Sequence, residues 1–513
     1  MSDTKKLLIG YHCNAKKALE GSPEFFEPAE RSPVDFILAH TDPTGRTVAE
    51  DCADAEKLAA ICEKMGVSFI ANFEKQNFAD VDISADGHDW ANHPDGTHRL
   101  NVPKEYIDAL NARGNCMGIM YDEFEHVIIN RNISLALDSK FKVDKPTFPV
   151  IFSKDLAEQA DVLDAQLKKY ADDMKKDGAK TLSGEHVWPV LFHKFAKNGI
   201  IPNFKSQKES CSNVQFAVAA GAAKQYGTPL WNCVDLWYRL TFPGHSPEEL
   251  YSNLVFSYLA GTDLVYVESS DVFFDKKEDG TKVYNEYGKN FSRFAVEYKD
   301  RERGYDIRDY RPEIGIVRMD DSYWGQGRCP FLWRNMLLGN KKLKPDSRSK
   351  EWIKAFRIIT HGETGRHGLS WGGVELHSLT DHRSFVSMNS PIVYDENAKA
   401  EDLSSLKLCF LCGVKISPET MKAVKYLAET NGLTVVCPTR LAPLEIIAKA
   451  GQSKDGEAHT GKGTWILADD LTSHKLRKRL APFLGNKGEM RFTFRDFELK
   501  MKISGNGETF ELL

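Results

Sequence analysis

Cysteine is scarce in this chain, with 10 in 513 residues scattered from Cys13 to Cys437. That density excludes a small disulfide-stapled scaffold. The one CxxC spacing, Cys409 to Cys412, lies inside the apolar run LKLCFLCG. With no second CxxC and no nearby histidine it reads as two core thiols in a strand. Long apolar runs are missing too: the opening MSDTKKLLIGYHCN has no leader-like core and cleavage site, and no later run reaches membrane-spanning length. The expectation is a soluble, cytoplasmic chain with no membrane partner, or a secreted or periplasmic one if a leader has been removed. Charge of one sign does not accumulate either, because 68 basic and 73 acidic residues are interspersed for a net charge of -5. Nothing in that balance draws the chain to nucleic acid.

Several catalytic signatures are absent as well. The glycine-rich stretches GETGRHG from Gly362 and GKG from Gly461 do not supply a GxxxxGKS or GxxxxGKT phosphate loop, and no GxGxxG follows an opening strand. No GxSxG elbow occurs, which removes the commonest ester and peptide hydrolases on a parallel sheet. His361, Glu363 and His367 lack the HExxH spacing and sit among three glycines, so they read as a turn rather than a metal site. No cofactor and no metal are expected.

What the chain does have is alternation. Apolar runs at LLIGYHC from Leu7, VDFILAH from Val34, VSFIANF from Val67, CMGIMYD from Cys116, IIPNF from Ile200, TPLWNCVDLW from Thr228 and TDLVYVE from Thr262 read as seven strands. An eighth follows at IGIVRMD from Ile314. Between them lie amphipathic stretches such as VAEDCADAEKLAAICEKMG and SPEELYSNLVFSYLAG, several opening on helix-starting residues. The polar DLAEQADVLDAQLKKYADDMKKDG segment reads as an extra, solvated helix between the fourth and fifth units. Eight strand-helix units in roughly three hundred residues predict a (β/α)8 barrel, whose functional groups gather at the C-terminal ends of its strands. From about Arg311 the pattern resets: PIVYD, LKLCFLCG, LTVVCP and TWILADD predict an open parallel-sheet α/β domain. The closing MRFTFRDFELKMKISGNGETFELL predicts a small antiparallel β element. The domains are thus read as 1–310, 311–480 and 481–513, with IGIVRMD either closing the barrel at 314–320 or opening the second domain.

The candidate chemistry lies at the strand ends. CMGIMYDEFEH runs from apolar residues into three carboxylates and a histidine. If the strand persists, Tyr121, Glu123 and Glu125 share one side and Asp122 faces the other. The seventh run ends in Glu268. Two rim carboxylates from separate strands are what glycoside hydrolysis needs, one to protonate the leaving oxygen and one to attack carbon or activate water. Glu123 and Glu268 are the candidate pair, Glu125 is the rival acid, and Asp235, closing the sixth run, could pair with Glu268 instead. The bland alternative is that these glutamates are rim salt-bridge partners. Sugar-positioning candidates are His12, Asn14, His40, Asp42, Asn72, Asp122, Lys205 and Gln207, with Trp237 and Tyr238 as stacking rings. Asp320, Tyr323 and Trp324 in MDDSYWGQG are further candidates.

In this order of elements the chain resembles the retaining glycoside hydrolases of the large barrel clan, especially β-galactosidase-type enzymes with a glutamine-amidotransferase-like second domain involved in trimer formation. The resemblance implies an acid/base glutamate closing strand four and a nucleophile closing strand seven, hence Glu123 and Glu268. It also implies a carbohydrate substrate and a homo-oligomer, favouring a trimer. The clan's acid motif is Asn-Glu, where this chain has Asp122-Glu123. LKLCFLCGVKISPETMKAVKYLAETNGLTVV resembles the strand-helix-strand core of the amidotransferase-like domain, yet Cys412 lacks a His-Glu partner pair, so that domain is expected to be architectural. The rival classes are a non-catalytic carbohydrate-binding or structural barrel, and a lyase or metal-assisted isomerase.

Overall fold

The computed structural model describes residues 5–41, 47–73, 102–124, 151–185, 191–206, 212–236, 244–324, 336–364, 383–453 and 456–513. The chain forms two compact units. One comprises residues 1–208, 229–304 and 330–344; the other comprises 209–228, 305–329 and 345–513.

The first unit is a closed barrel of eight parallel strands: β1 (Leu8–Asn14), β2 (Phe36–His40), β3 (Ser68–Asn72), β4 (Cys116–Tyr121), β5 (Leu182–Glu185), β6 (Ile201–Ser206), β7 (Trp231–Val234) and β8 (Leu264–Val267), with β8 pairing back onto β1. Their apolar runs are nearly continuous because parallel barrel strands are covered on both faces. Alternate residues fill the interior, where Phe36, Leu38, Ile70, Met120, Ile201, Trp231, Leu264 and Tyr266 form one cluster. Gly10 is required there, since a Cβ at that position would lie 2.6 Å from the Phe36 ring. A short hairpin, β9 (Phe274–Lys276) and β10 (Lys282–Tyr284), follows the barrel.

Helices start and stop where the side chains dictate. Thr47 and Glu50 make a reciprocal capping box at the start of Val48–Met65, and Gly66 ends that helix in the left-handed conformation. The helix Leu156–Lys176 carries i,i+4 pairs Lys168–Asp172 and Lys169–Asp173 on its wet face, as its composition predicts. It is not extra material, however: Ala160, Leu163, Leu167, Tyr170 and Met174 are buried, and it is the crossover from β4 to β5.

The strand count differs from the sequence expectation at two places. Leu182–Glu185 is a barrel strand that reads as nothing of the kind, since LSGE has one apolar residue. IGIVRMD lies outside the barrel and forms the interior strand β11 (Ile314–Arg318) of the second sheet. IIPNF is therefore the sixth barrel strand, Asp235 follows the seventh, and Glu268 follows the eighth rather than the seventh.

The second unit holds that sheet: β11, β13 (Pro391–Tyr394), β14 (Leu408–Cys412), β15 (Thr434–Cys437), β16 (Glu457–Thr460) and β17 (Gly463–Leu467), in the order β13-β11-β14-β15-β17-β16. All neighbours are parallel except β16 on β17. This is the doubly wound order in which the first strand sits inside the sheet. β12 (Met388–Asn389), β18 (Glu489–Thr493), β19 (Glu498–Ile503) and β20 (Phe510–Leu512) form the small, mainly antiparallel C-terminal sheet. The helix Ser212–Tyr226, although it lies between β6 and β7 in the chain, belongs to this unit and packs so closely on β13 that a Cβ at Gly221 would lie 1.6 Å from the Val393 carbonyl oxygen. Cys409 and Cys412 are buried free thiols in β14, and burial pushes the Cys412 thiol well above its ordinary range. Among the described residues, no helix is long and apolar enough to cross a membrane.

Candidate active site

The inward-facing residue at, near or just past the end of each barrel strand is polar. Parity carries the interior rows upward from Gly10, Leu38, Ile70, Met120, Ser183, Asn203, Cys233 and Tyr266 to His12, His40, Asn72, Asp122, Glu185, Lys205, Asp235 and Glu268. Below them apolar packing closes the barrel, so these groups sit at its C-terminal mouth, where a (β/α)8 barrel places its chemistry.

Lys205 is the hub of this ring. Its Nζ is 2.9 Å from Glu268 Oε2, 3.1 Å from Asp122 Oδ1, 3.2 Å from Glu185 Oε1, 3.7 Å from Asp235 Oδ2 and 3.9 Å from Glu123 Oε1. Lys205, Asp122, Glu185 and Asp235 are buried, whereas the Glu123 and Glu268 side chains keep 12% and 17% of their surface. Both touch the same ammonium, so their nearest oxygens lie no further apart than those two distances laid end to end. That bound is compatible with the retaining separation of about 5 to 5.5 Å.

The strand parity expected for Glu123 does not apply, because β4 ends at Tyr121. Tyr121 faces away from the mouth, bonds to the Tyr170 hydroxyl and stacks on Phe124. Asp122 takes the inward position, and Glu123 adopts a left-handed backbone, φ 53°, that turns it toward the same ammonium. Ser269, directly after Glu268, is also left-handed at φ 57°. Such conformations cost non-glycine residues about 1–3 kcal/mol each and gather at functional sites.

The electrostatics divide the ring. Burial pushes the Glu185 carboxyl well above its usual range, and the Asp122 carboxylate beside it adds to that. Burial works against a charged Lys205, but Asp122, Glu185, Glu268 and Asp235 outweigh it and hold the ammonium protonated. Burial, with His40 beside it, lowers His12 to about 3. His12 is thus neutral; its Nδ1 accepts from the Ser269 backbone N–H at 3.3 Å, and its ring meets that of His40 at 4.8 Å. Among the described residues, His12 Nε2 and both amide atoms of the fully buried Asn72 have no protein hydrogen-bond partner. Strands β1–β3 therefore present imidazole and amide groups, and β4–β8 present carboxyl groups around one ammonium.

Glu185, Cys233 and Glu268 bring ligand atoms within 4.8 Å of one another. The set does not suit a divalent ion: burial holds the Cys233 thiol protonated, and the Lys205 ammonium already fills the cation position between the two carboxylates.

Other expected residues fall elsewhere. Asn14 caps a short helix by accepting from the Lys16 N–H. Asp320, Tyr323 and Trp324 belong to the second unit and are buried there, Asp320 paired with Arg318 and Trp324 packed on Trp352. His361 and Glu363 lie in the turn after the helix Glu351–Ile359, with Glu363 accepting from Ser387. Asp42, Glu125, His126, Gln207, Trp237, Tyr238 and His367 lie outside the described residues. Sequence reasoning missed Glu185, whose one signal was a carboxylate ending a short run before the IIPNF strand.

No family model matches the chain, and no curated protein sequence matches it. Solved structures do align with it. The exo-β-1,4-mannosidase Op5Man5 from an Opitutaceae bacterium is 11% identical over 93% of this chain and 94% of that one, with a TM-score of 0.49. A GH42 exo-carrageenase from Bacteroides ovatus is 8% identical over 97% and 73%, at 0.45. A GH5_18 protein from Bifidobacterium longum is 12% identical over 62% and 84%, at 0.40. None of the three is described as a β-galactosidase or an amidotransferase. Likeness at this level leaves the chemistry to be argued from the side chains.

Proposed function

We propose that this protein is a retaining glycoside hydrolase acting on β-linked sugars, with Glu123 as acid/base and Glu268 as nucleophile. The observation that carries the reading is that the two least buried carboxylates of the mouth meet one ammonium from different strands. Glu268 attacks the anomeric carbon while Glu123 protonates the leaving oxygen; Glu123 then draws a proton from water to release the sugar. His12 and Asn72 suit hydroxyl recognition, because His12 Nε2 and the Asn72 amide can each bond a sugar hydroxyl without introducing charge. β-Galactosides are the first substrates to try, on the clan resemblance. The second unit is read as architectural, since a thiol as buried as Cys412 is a poor nucleophile. A homo-oligomer, a trimer by the same resemblance, is expected by light scattering.

The test is a panel of aryl β-glycosides followed by mass mapping of the peptide trapped with a 2-deoxy-2-fluoro glycoside. Label on Glu268 supports the assignment. Label on Asp235 moves the nucleophile to the carboxylate that follows strand seven, the place the clan resemblance implies. A first-formed product of inverted configuration in proton NMR rejects retention. A Schiff-base lyase is disfavoured because its lysine must be neutral, and Lys205 is held charged.

A further inference from the structure

Lys205 is expected from sequence to contact substrate, yet its surroundings leave no room for that role. It is 2% exposed, and its ammonium lies within 3.2 Å of three carboxylates, hydrogen-bonding Glu268.

We propose that Lys205 is a positioning residue that assigns the two protonation roles, because its ammonium hydrogen-bonds Glu268 at 2.9 Å but stands 3.9 Å from Glu123, beyond hydrogen-bond reach. This deepens the glycosidase reading and rests on it. A charge-assisted hydrogen bond stabilises the ionised form of its acceptor, and Coulomb attraction falls with distance, so the ammonium favours ionisation of Glu268 over that of Glu123. The remaining groups that face it are few. Asp122 and Asp235 compete for the ammonium. Burial raises the Glu185 carboxyl well above its usual range, and it holds the Cys233 thiol, 3.5 Å from Glu268, and the Tyr266 phenol protonated. From β1, His12 is uncharged, with His40 of β2 against its ring. The sequence supplies this hub by placing a lysine at the third inward position of IPNFKS, over Ile201 and Asn203.

The test compares Lys205→Met and Lys205→Arg with the wild type by carbon-13 NMR of carboxyl-labelled glutamate, the Glu268 resonance being assigned with Glu268→Gln. In Lys205→Met the Glu268 resonance is expected to titrate about one pH unit higher or more, and Lys205→Arg is expected to restore most of the difference. On an aryl glycoside that the wild type turns over, the acid limb of kcat/KM should move up by the same amount, with kcat falling at low pH and KM nearly unchanged. A folded Lys205→Met protein with an unmoved resonance overturns the proposal, and so does a rise in KM with kcat intact, which would make Lys205 a substrate contact. If Lys205→Met does not fold, Asp122→Asn is read instead: with one competitor removed, the Glu268 titration should move to lower pH, and an unmoved midpoint overturns the proposal. The resonance needs no turnover, so a protein that hydrolyses no glycoside fails the functional reading and leaves this measurement standing.

Discussion

Lys205, near the end of β6, and Arg318, at the end of β11, are both buried cations at the C-terminal ends of parallel strands, each ringed by carboxylates. Their surroundings are otherwise opposite. Arg318 spends its planar fork on Asp320 and Asp321, each at 3.2 Å, and lies 4.6 Å over the Trp352 ring. Those carboxylates are themselves buried and accept from the Ser322 and Tyr323 backbone N–H groups. Lys205 is a point charge shared by five carboxylates, two of which reach solvent. A buried ion cluster is thus not in itself a sign of function: the matched cluster is sealed, while the overcommitted one opens at its edge, where a substrate could enter.

The largest effect that follows is on chemistry. Glu268→Gln keeps the shape of the mouth and removes the attacking charge, so turnover of an aryl β-glycoside should fall about ten-thousand-fold, or about 5 kcal/mol in barrier, with KM little changed. Steady-state kinetics check this. Retained turnover in Glu268→Gln together with loss in Asp235→Asn would break the contrast drawn here between exposed and sealed carboxylates.

Arg318→Met should act on stability instead. It strands two buried aspartates, and removing one partner of a buried ion cluster costs about 3–5 kcal/mol. Urea unfolding should show that loss while kcat per folded molecule stays at the wild-type level. A variant as stable as the wild type would mean that the Arg318 cluster is no more structural than the Lys205 cluster.

The same cluster contains a titration. Burial raises Asp321 from an ordinary aspartate value to about 6 despite Arg318 beside it. The folded state therefore holds this proton more tightly than the unfolded chain. The resulting stability is fully present below about pH 4 and is lost as pH rises through about 6, an amount of about 3 kcal/mol for a shift of this size. Asp321→Asn should remove that slope from the difference in unfolding free energy between pH 4 and pH 7, and an unchanged slope would refute the assignment.

Much of this was legible in the sequence, and the failures have physical causes. Seven barrel strands announce themselves because a strand covered on both faces must be apolar along its length, as in FILAH and LVYV. LSGE does not, because two of its four residues, Ser183 and Glu185, face inward near the polar mouth, so hydrophobicity carries no signal there. Missing it moved Glu268 from the eighth strand to the seventh. Glu123 and Glu268 were findable as carboxylates ending apolar runs. That Lys205 joins them was not, since the sequence shows a residue's type but not what surrounds it. Arg318 drew no notice for the same reason.

The smallest effect tests the backbone beneath Glu268. Ser269 holds φ 57° while its N–H reaches His12 and its hydroxyl reaches Asp271 at 3.3 Å. The left-handed conformation costs an L-residue roughly 1–2 kcal/mol, and glycine escapes that cost but loses more entropy on folding. Ser269→Gly should therefore raise stability by about 0.5–1 kcal/mol in thermal unfolding. It should also lower kcat a few-fold, because a glycine after Glu268 leaves the carboxylate less firmly aimed at the mouth. A gain in stability with kcat unchanged would show that the strain is incidental to the site. A loss of stability would show that the Ser269 hydroxyl, rather than its backbone, governs this turn.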